Sequence, residues 1–354
     1  SKCSGITLGK HGDEFDNTSE NSAEGYVKTI ERAYKKGWNK ETIGSHIVRN
    51  NSIFNCGQTG ICGSLGAVFS TIENNNIYNI WTKRQFSGAE MGGIKIHAAI
   101  DMTIRKNKLS NCGRGLWLDW MAQGTRVSGN LFFNNTSDDI FVEVNHGPFL
   151  IDNNILLSPL AIRDWSEGGA YVHNLIAGNI ELLPQDRETP FHAAHSTKMA
   201  GLSQTKGGDN RYFNNIFIGG TASGQHSKSG LGIYTPTNYP MIVNGNVYLK
   251  GAEKFSKERN MLELGTDPGI SITENEKGIF LNFTFPKEIM NLKNASVTTQ
   301  VLGQSKVSGQ KYENSDGSEI VISFDYLGKK RDKIKPTAGP FEKPEKGNNK
   351  IKVW

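Results

Sequence analysis

The sequence predicts an all-β chain: a right-handed parallel β-helix followed by a small antiparallel β-rich addition. Three observations carry that expectation. The pattern apolar-x-x-Asn-x-apolar recurs between residues 46 and 250, its commonest spacing is 23 to 25 residues, and no helical segment recurs with it. The 354 residues also include 40 Gly and 34 Asn against only 36% hydrophobic residues, a composition of many turns that a helical bundle does not have.

Three regions follow in order. Residues 1–45 read as the start of the β-helix with a flanking helical insertion, since 19–37 carry Tyr26, Ile30 and Tyr34 on one stripe, Ser22 near the start and Gly37 at the end. Residues 46–250 hold the repeat. Its copies are Val48 to Ile53, Ile72 to Ile77, Ile104 to Leu109, Val127 to Phe132, Ile151 to Leu156, Tyr212 to Phe217 and Val243 to Tyr248, with a degenerate copy at Ile176 to Glu181. The register residues are then Asn51, Asn75, Asn107, Asn130, Asn154, Asn179, Asn215 and Asn246, separated by 24, 32, 23, 24, 25, 36 and 31 residues.

A unit of this length with occasional longer steps is a coil of short strands with loops inserted between some of them; no unit can bury its apolar face alone, so the units must stack. Insertions are expected between Asn75 and Asn107 and between Asn179 and Asn246. The repeated Asn is read as structural, because it tolerates the left-handed corner conformation and can stack its amide from coil to coil. After residue 250 the pattern disappears. Gly278 to Phe285 and Glu319 to Tyr326 read as strands of an antiparallel addition, and the Lys/Pro/Gly-rich end from Lys329 is expected to lie over the surface.

The charge places few constraints on partners. Residues 329–354 hold nine Lys/Arg against three Asp/Glu, so the net +5 resides in the tail and gives no nucleic-acid footprint. No stretch approaches the roughly 20 uncharged apolar residues of a membrane span, and Ser1-Lys2-Cys3 does not open a signal peptide. The chain reads as soluble, with the bacterial periplasm or secretion as the compartments to test. Cys3, Cys56, Cys62 and Cys112 lack a CxxC spacing and a matching His set, so neither zinc nor another cofactor is expected. Cys56 and Cys112 fall two coils, about 10 Å, apart, too far for a disulfide.

The chemistry is read from strand alternation. Gly-Ile94-Lys95-Ile96-His97, Gly-Leu116-Trp117-Leu118-Asp119 and Asp-Ile140-Phe141-Val142-Glu143 share one frame relative to the next register Asn. Ile94, Ile96, Leu116, Leu118, Ile140 and Val142 then point inward; Lys95, Trp117 and Phe141 point outward with His97, Asp119 and Glu143. Neighbouring coils lie about 4.8 Å apart, so Asp119 and Glu143 should stand side by side on one outer face. Carboxyl groups about 5 to 5.5 Å apart suit glycoside hydrolysis with retention, in which one attacks the anomeric carbon and the other protonates the leaving oxygen. Two negative charges this close also raise the proton affinity of one of them. Geometry alone leaves open which of the two attacks. Trp117, Trp120, His97, Asn145 and His146 flank the pair with aromatic and polar groups suited to sugar faces and hydroxyls, although alternation also allows Trp120 to face the core.

Four segments, Gly-Leu-Trp-Leu-Asp119-Trp120-Met-Ala-Gln-Gly-Thr, Phe-Val-Glu143-Val-Asn-His146-Gly-Pro, Ser-Gly-Ala-Glu90-Met-Gly-Gly-Ile-Lys-Ile-His97 and Thr-Pro-Phe-His192-Ala-Ala-His195-Ser-Thr, resemble the β-helix glycoside hydrolases of family 120, whose activity is β-xylosidase. The resemblance covers roughly residues 1 to 250. It implies a retaining exo-glycosidase acting on terminal β-xylosyl units of oligosaccharides, with Asp119 as nucleophile, Glu143 as general acid/base and Glu90 in the sugar-binding subsite. Family members carry further β-helix upstream, whereas this chain begins inside what reads as an established coil. Association with such a portion, or with a second copy, is therefore expected.

His192 and His195 lack a third ligand in sequence and are read as substrate contacts or structural hydrogen-bonding groups rather than a metal site. Asp138 and Asp139 read as a solvated turn, and His173 as structural. Two competing functions remain at this stage. A polysaccharide lyase would use Lys95 or Arg163 as base but would also need aligned acids that this face lacks. A non-catalytic carbohydrate-binding β-helix would have no use for two carboxylates in register.

Overall fold

The computed structural model describes residues 1–9, 22–85, 90–183, 185–236 and 240–354. Three long sheets run along one axis, of eight, eight and nine strands among the described residues. Successive coils contribute one strand to each, and the pairing is parallel throughout the stack, including Val48↔Ile72, Ile104↔Val127 and Val127↔Ile151 in the second sheet. The first sheet carries Thr59–Gly63, Gly92–His97, Leu116–Asp119, Ile140–Glu143 and Leu160–Trp165 in that spatial order. An antiparallel strand, Ser227–Ser229, ends it.

The bore of the helix is the main core. Ile94, Ile96, Leu116, Leu118, Ile140 and Val142 from the first sheet meet Ile104, Val127 and Ile151 from the second and Leu109, Phe132 and Leu156 from the third. Burying each of these side chains contributes roughly 1.5–3 kcal/mol, and the gain is realised only when coils stack. The inward frame expected from alternation is the one observed.

The Asn residues form a continuous ladder. Asn75 donates from Nδ2 to Asn107 Oδ1 (2.9 Å), Asn107 to Asn130 (3.0 Å) and Asn130 to Asn154 (2.9 Å). Each amide also donates to a carbonyl of the preceding coil, as Asn130 does to Ile104 O (3.0 Å), and each Oδ1 accepts a backbone N–H as well. The far end of the ladder is closed by Glu258, whose Oε1 accepts from Asn246 (2.9 Å). The left-handed corner conformation belongs to the residue before each ladder Asn, such as Asn74, Lys106, Asn153 and His173, and not to the ladder residue itself. The ladder member after Asn154 is Asn174, from Tyr171-Val-His-Asn-Leu-Ile176, and not Asn179. Asn179 instead begins a first-sheet strand and accepts from Ser229 Oγ. The coil from Asn154 to Asn174 is short and the next one long, because an antiparallel hairpin, Glu188–His192 with Met199–Gln204, is inserted in it.

The helix expected at 19–37 is observed as Ser22–Lys35; residues 19–21 lie outside the described residues. Tyr26 and Ile30 are buried, while Tyr34 at the C-terminal end of the stripe is exposed. Cys56 and Cys112 are free and buried, with Ile80 on the coil between them: Trp81 N donates to Cys56 O and Gly113 N to Ile80 O.

Two expectations at the C-terminus are corrected. Gly278–Phe285 is a strand, but Glu319 to Tyr326 makes only isolated bridges. The third strand of the antiparallel sheet is Gly347–Lys352, from the tail expected on the surface. The tail's charge did not exclude strand formation, since alternate residues face solvent and Ile351 packs inward. Met261–Leu264 moreover adds a parallel strand to the third sheet beyond the last Asn. No helix among the described residues is long and apolar enough to cross a membrane.

Candidate active site

The site lies on the outer side of the first sheet. Three adjacent strands there are held in strict register: His97↔Asp119↔Glu143, with Trp165 next in the row. Glycines let the coils close up beneath it. A Cβ on Gly115, just before Leu116–Asp119, would lie 2.3 Å from Asp139 O and one on Gly93, second in Gly92–His97, 2.8 Å from a Leu109 methyl, so neither position has room for a side chain.

Asp119 is the centre of the cluster. Its Oδ2 lies 2.9 Å from Lys95 Nζ and 3.2 Å from His97 Nε2, and its Oδ1 accepts the Trp120 backbone N–H (3.0 Å). Glu90 Oε1 approaches the same two side chains, at 3.2 Å from Lys95 and 3.6 Å from His97. Lys95 is completely buried, and a buried ammonium persists only when paired, which the two carboxylates accomplish. Glu143 accepts from Trp117 Nε1 at Oε2 (3.0 Å) and from Arg187 at Oε1.

The outer face is not open, as sequence alternation alone would suggest. Asp119 is 4% exposed and Glu143 8%. The Ser22–Lys35 helix lays Tyr26 over His97 (ring centroids 5.5 Å apart, 28° between planes) and against Trp120 (5.3 Å). Arg187 enters from the chain leading into the inserted hairpin and stands 5.8 Å above Trp120.

The two carboxyls are driven in opposite directions. Burial alone would raise Asp119, but His97, Lys95 and Arg187 outweigh it and hold its carboxyl below the usual range. Burial, and after it the Asp119 charge, push Glu143 above its usual range against the opposing pull of Arg187 and Lys95. One carboxylate is thus kept ionised beside one whose proton is retained to higher pH, the separation that nucleophile and acid roles require.

The flanking residues divide. Glu90, His97, Trp117 and Trp120 lie around the pair. Ser87 to Ala89 of the Glu90 motif lie outside the described residues. Trp120 joins a satellite cluster with Tyr26, Trp38 and Val144, outside the bore. Asn145 does not face the site: its amide accepts from Ala122 N (2.7 Å) and donates to Leu118 O (3.0 Å), a corner role like that of the ladder residues. His146 is spent on Glu167 (2.6 Å) and Thr189 (2.9 Å) and ties the hairpin to the helix. His192 is fully buried between Thr197 O (2.8 Å) and Met121 Sδ (3.1 Å), where burial pushes it down to about 4 and leaves it neutral. His195 joins Asp101 (3.0 Å) to Glu313 (3.4 Å), away from His192's partners.

Asp138 and Asp139 are not a solvated turn. Both are fully buried: Asp138 takes Arg114 and Arg163, and Asp139 accepts from Asn135 Nδ2 and Ser158 N. Burial pushes Asp139 up to about 7. Sequence reasoning missed Arg187 and Tyr26, since both arrive on insertions outside the repeat; only the Arg187-Glu-Thr-Pro-Phe-His192 run adjoining a quoted motif could have pointed to the former.

The frame of parallel coils with a buried charged cluster on one sheet defines a right-handed parallel β-helix protein, and the family of right-handed β-helix regions matches residues 29–181. Five chains of solved structures are similar to this one. Among them is XylC, solved as a complex with xylose, at 41% identity and a TM-score of 0.93. That similarity covers 100% of this chain and 59% of the XylC chain, so this chain spans about three-fifths of its relative's length. No curated protein matches it. The similarity to XylC runs the whole length of this chain and agrees with the resemblance of its four segments to glycoside hydrolase family 120.

Proposed function

We propose that the chain is the catalytic β-helix of a retaining exo-glycosidase that removes terminal β-xylosyl units from xylo-oligosaccharides. The observation that carries this reading is the pairing of Asp119 with Glu143 in register on adjacent strands, with their proton affinities driven apart. The xylose held by XylC supports the choice of sugar. Asp119 attacks the anomeric carbon as the Glu143 acid gives its proton to the departing oxygen; water then attacks the glycosyl-enzyme, its proton passing to Glu143 as the Asp119–carbon bond breaks. Glu90 and His97 flank the nucleophile and supply hydrogen-bonding groups for the sugar hydroxyls, while the buried Lys95 holds Asp119 and Glu90 in place.

A lyase is less well supported, because both candidate bases are already engaged. Lys95 is held by Asp119 and Glu90, and Arg163 by Asp138 and Glu181.

The test separates the two roles. With an aryl β-xyloside, Asp119→Ala abolishes turnover, and azide restores it with an inverted glycosyl azide. Glu143→Ala keeps the first step for a dinitrophenyl leaving group, and azide then gives a product of retained configuration. An inverted azide product from the Glu143 variant would exchange the roles; full activity in both variants would move the site elsewhere.

A further inference from the structure

Both oxygens of Glu143 accept a hydrogen bond. Oε2 accepts from the Trp117 indole and Oε1 from the Arg187 guanidinium, and a cation donating to one of the oxygens favours the carboxylate. An acid that protonates a glycosidic oxygen needs a hydrogen on one of them and a clear line to the leaving group. The pairing with Arg187 therefore suits the second half of a double displacement, in which Glu143 takes a proton from water, more than the first.

Arg187 is placed to be exchanged. It is not part of the repeat but lies beside the inserted hairpin, one residue before Glu188–His192, and its side chain keeps a third of its surface exposed. Its Nε is buried with no hydrogen-bond partner among the described residues. A buried donor left unmatched is unfavourable, so this arrangement of Arg187 is not the best one open to it once an acceptor arrives. Trp117, by contrast, is carried by a sheet strand and stacked on Phe141 (5.2 Å).

Resting on the retaining reading above, we infer that Arg187 is a positioning residue that toggles the acid/base: paired with Glu143 it favours the carboxylate needed for the water step, and displaced by the leaving group it lets Glu143 carry the proton for the first. Around Glu143 the titratable and charged groups are Asp119 on the adjacent strand, Lys95 and His97 on the strand beyond it with Glu90 just before that strand, and Arg187 from the insertion; Arg114 and Arg163 on the same face are committed to Asp138, and Arg163 also to Glu181. Of these only Arg187 is carried by a segment outside the sheet and touches Glu143 directly. The sign follows from charge: an adjacent cation favours the carboxylate, so its removal raises the proton affinity of Glu143.

The experiment follows Glu143 through the Trp117 indole, which donates to it, by recording the indole 15N–1H resonance against pH in wild type, Arg187→Met, Arg187→Gln and Arg187→Lys. The midpoint moves up by roughly one unit or more in the Met and Gln variants and stays near wild type in the Lys variant. With an aryl xyloside, the alkaline limb of kcat/KM moves up with it, and the Met variant loses more in the water step than in the first. A midpoint unchanged in both neutral variants would overturn the inference. If the wild type does not cleave xylosides while the midpoint still shifts, the pairing stands and the substrate reading fails.

Discussion

The outer faces of the first and third sheets are built on the same coils from the same alternating frame, yet they end in opposite chemistry. On the third sheet the outward Leu131, Ile155, Leu175, Ile216 and Val247 are covered by Leu281, Phe285, Ile289 and Phe341 of the C-terminal region, giving a second apolar core parallel to the bore. On the first, the outward positions are Lys95, Trp117, Asp119, Phe141 and Glu143, covered by Tyr26 and Arg187. Both faces are buried. One gains stability from water it excludes, at roughly 25 cal/mol per Å² of apolar surface. The other must match every buried charge with a partner, and charges so placed repay their desolvation poorly. A fold that already buries its bore has no structural need for the second arrangement, which is why it marks the site.

Exchanging the chemistry of the faces is the strongest test of that contrast. Replacing the ionic cluster together, as Lys95→Met, Asp119→Leu and Glu143→Leu, should abolish xyloside turnover while thermal unfolding shows stability unchanged or higher by about 1–4 kcal/mol, as found when buried ion pairs give way to apolar groups. A triple variant that unfolds well below wild type would show that the cluster is structural. In the opposite direction, Phe341→Ala on the third-sheet seam, where the ring stacks on Phe283 (5.8 Å) and meets Tyr326 (5.9 Å), should cost about 3–5 kcal/mol in denaturant unfolding and leave kcat/KM unchanged. A fall in activity without a fall in stability would mean that the two faces are coupled.

The contrast also explains what could be read in advance. The bore, the frame shared by Ile94, Leu116 and Ile140, and the register of Asp119 with Glu143 follow from periodicity, because a coil that slips by one residue would turn its apolar set outward. The ladder was legible for the same reason, but its sixth member was misplaced. A 20-residue coil followed by a long one breaks the spacing, and Asn179 lies closer to the expected interval than Asn174. Residue type was a weaker guide than register. Asn145, His146 and His192 have the chemistry of sugar ligands, yet their polar atoms are consumed by corners and by the hairpin, which no local pattern reveals. Arg187 was invisible because its distance from Glu143 is set by an insertion, and insertions carry no period.

The central claim is that Asp119 is the nucleophile and Glu143 its proton-transfer partner on the first-sheet face. A 2-deoxy-2-fluoro-β-xylosyl donor with a good leaving group slows both steps but traps the covalent intermediate when the leaving group outruns hydrolysis, so peptide mapping of the inactivated chain by mass spectrometry identifies the attacking residue. The account predicts a single fluoroxylosyl adduct on Asp119, absent from Asp119→Ala and still formed in Glu143→Ala. An adduct on Glu143, or on any residue outside this face, would contradict it.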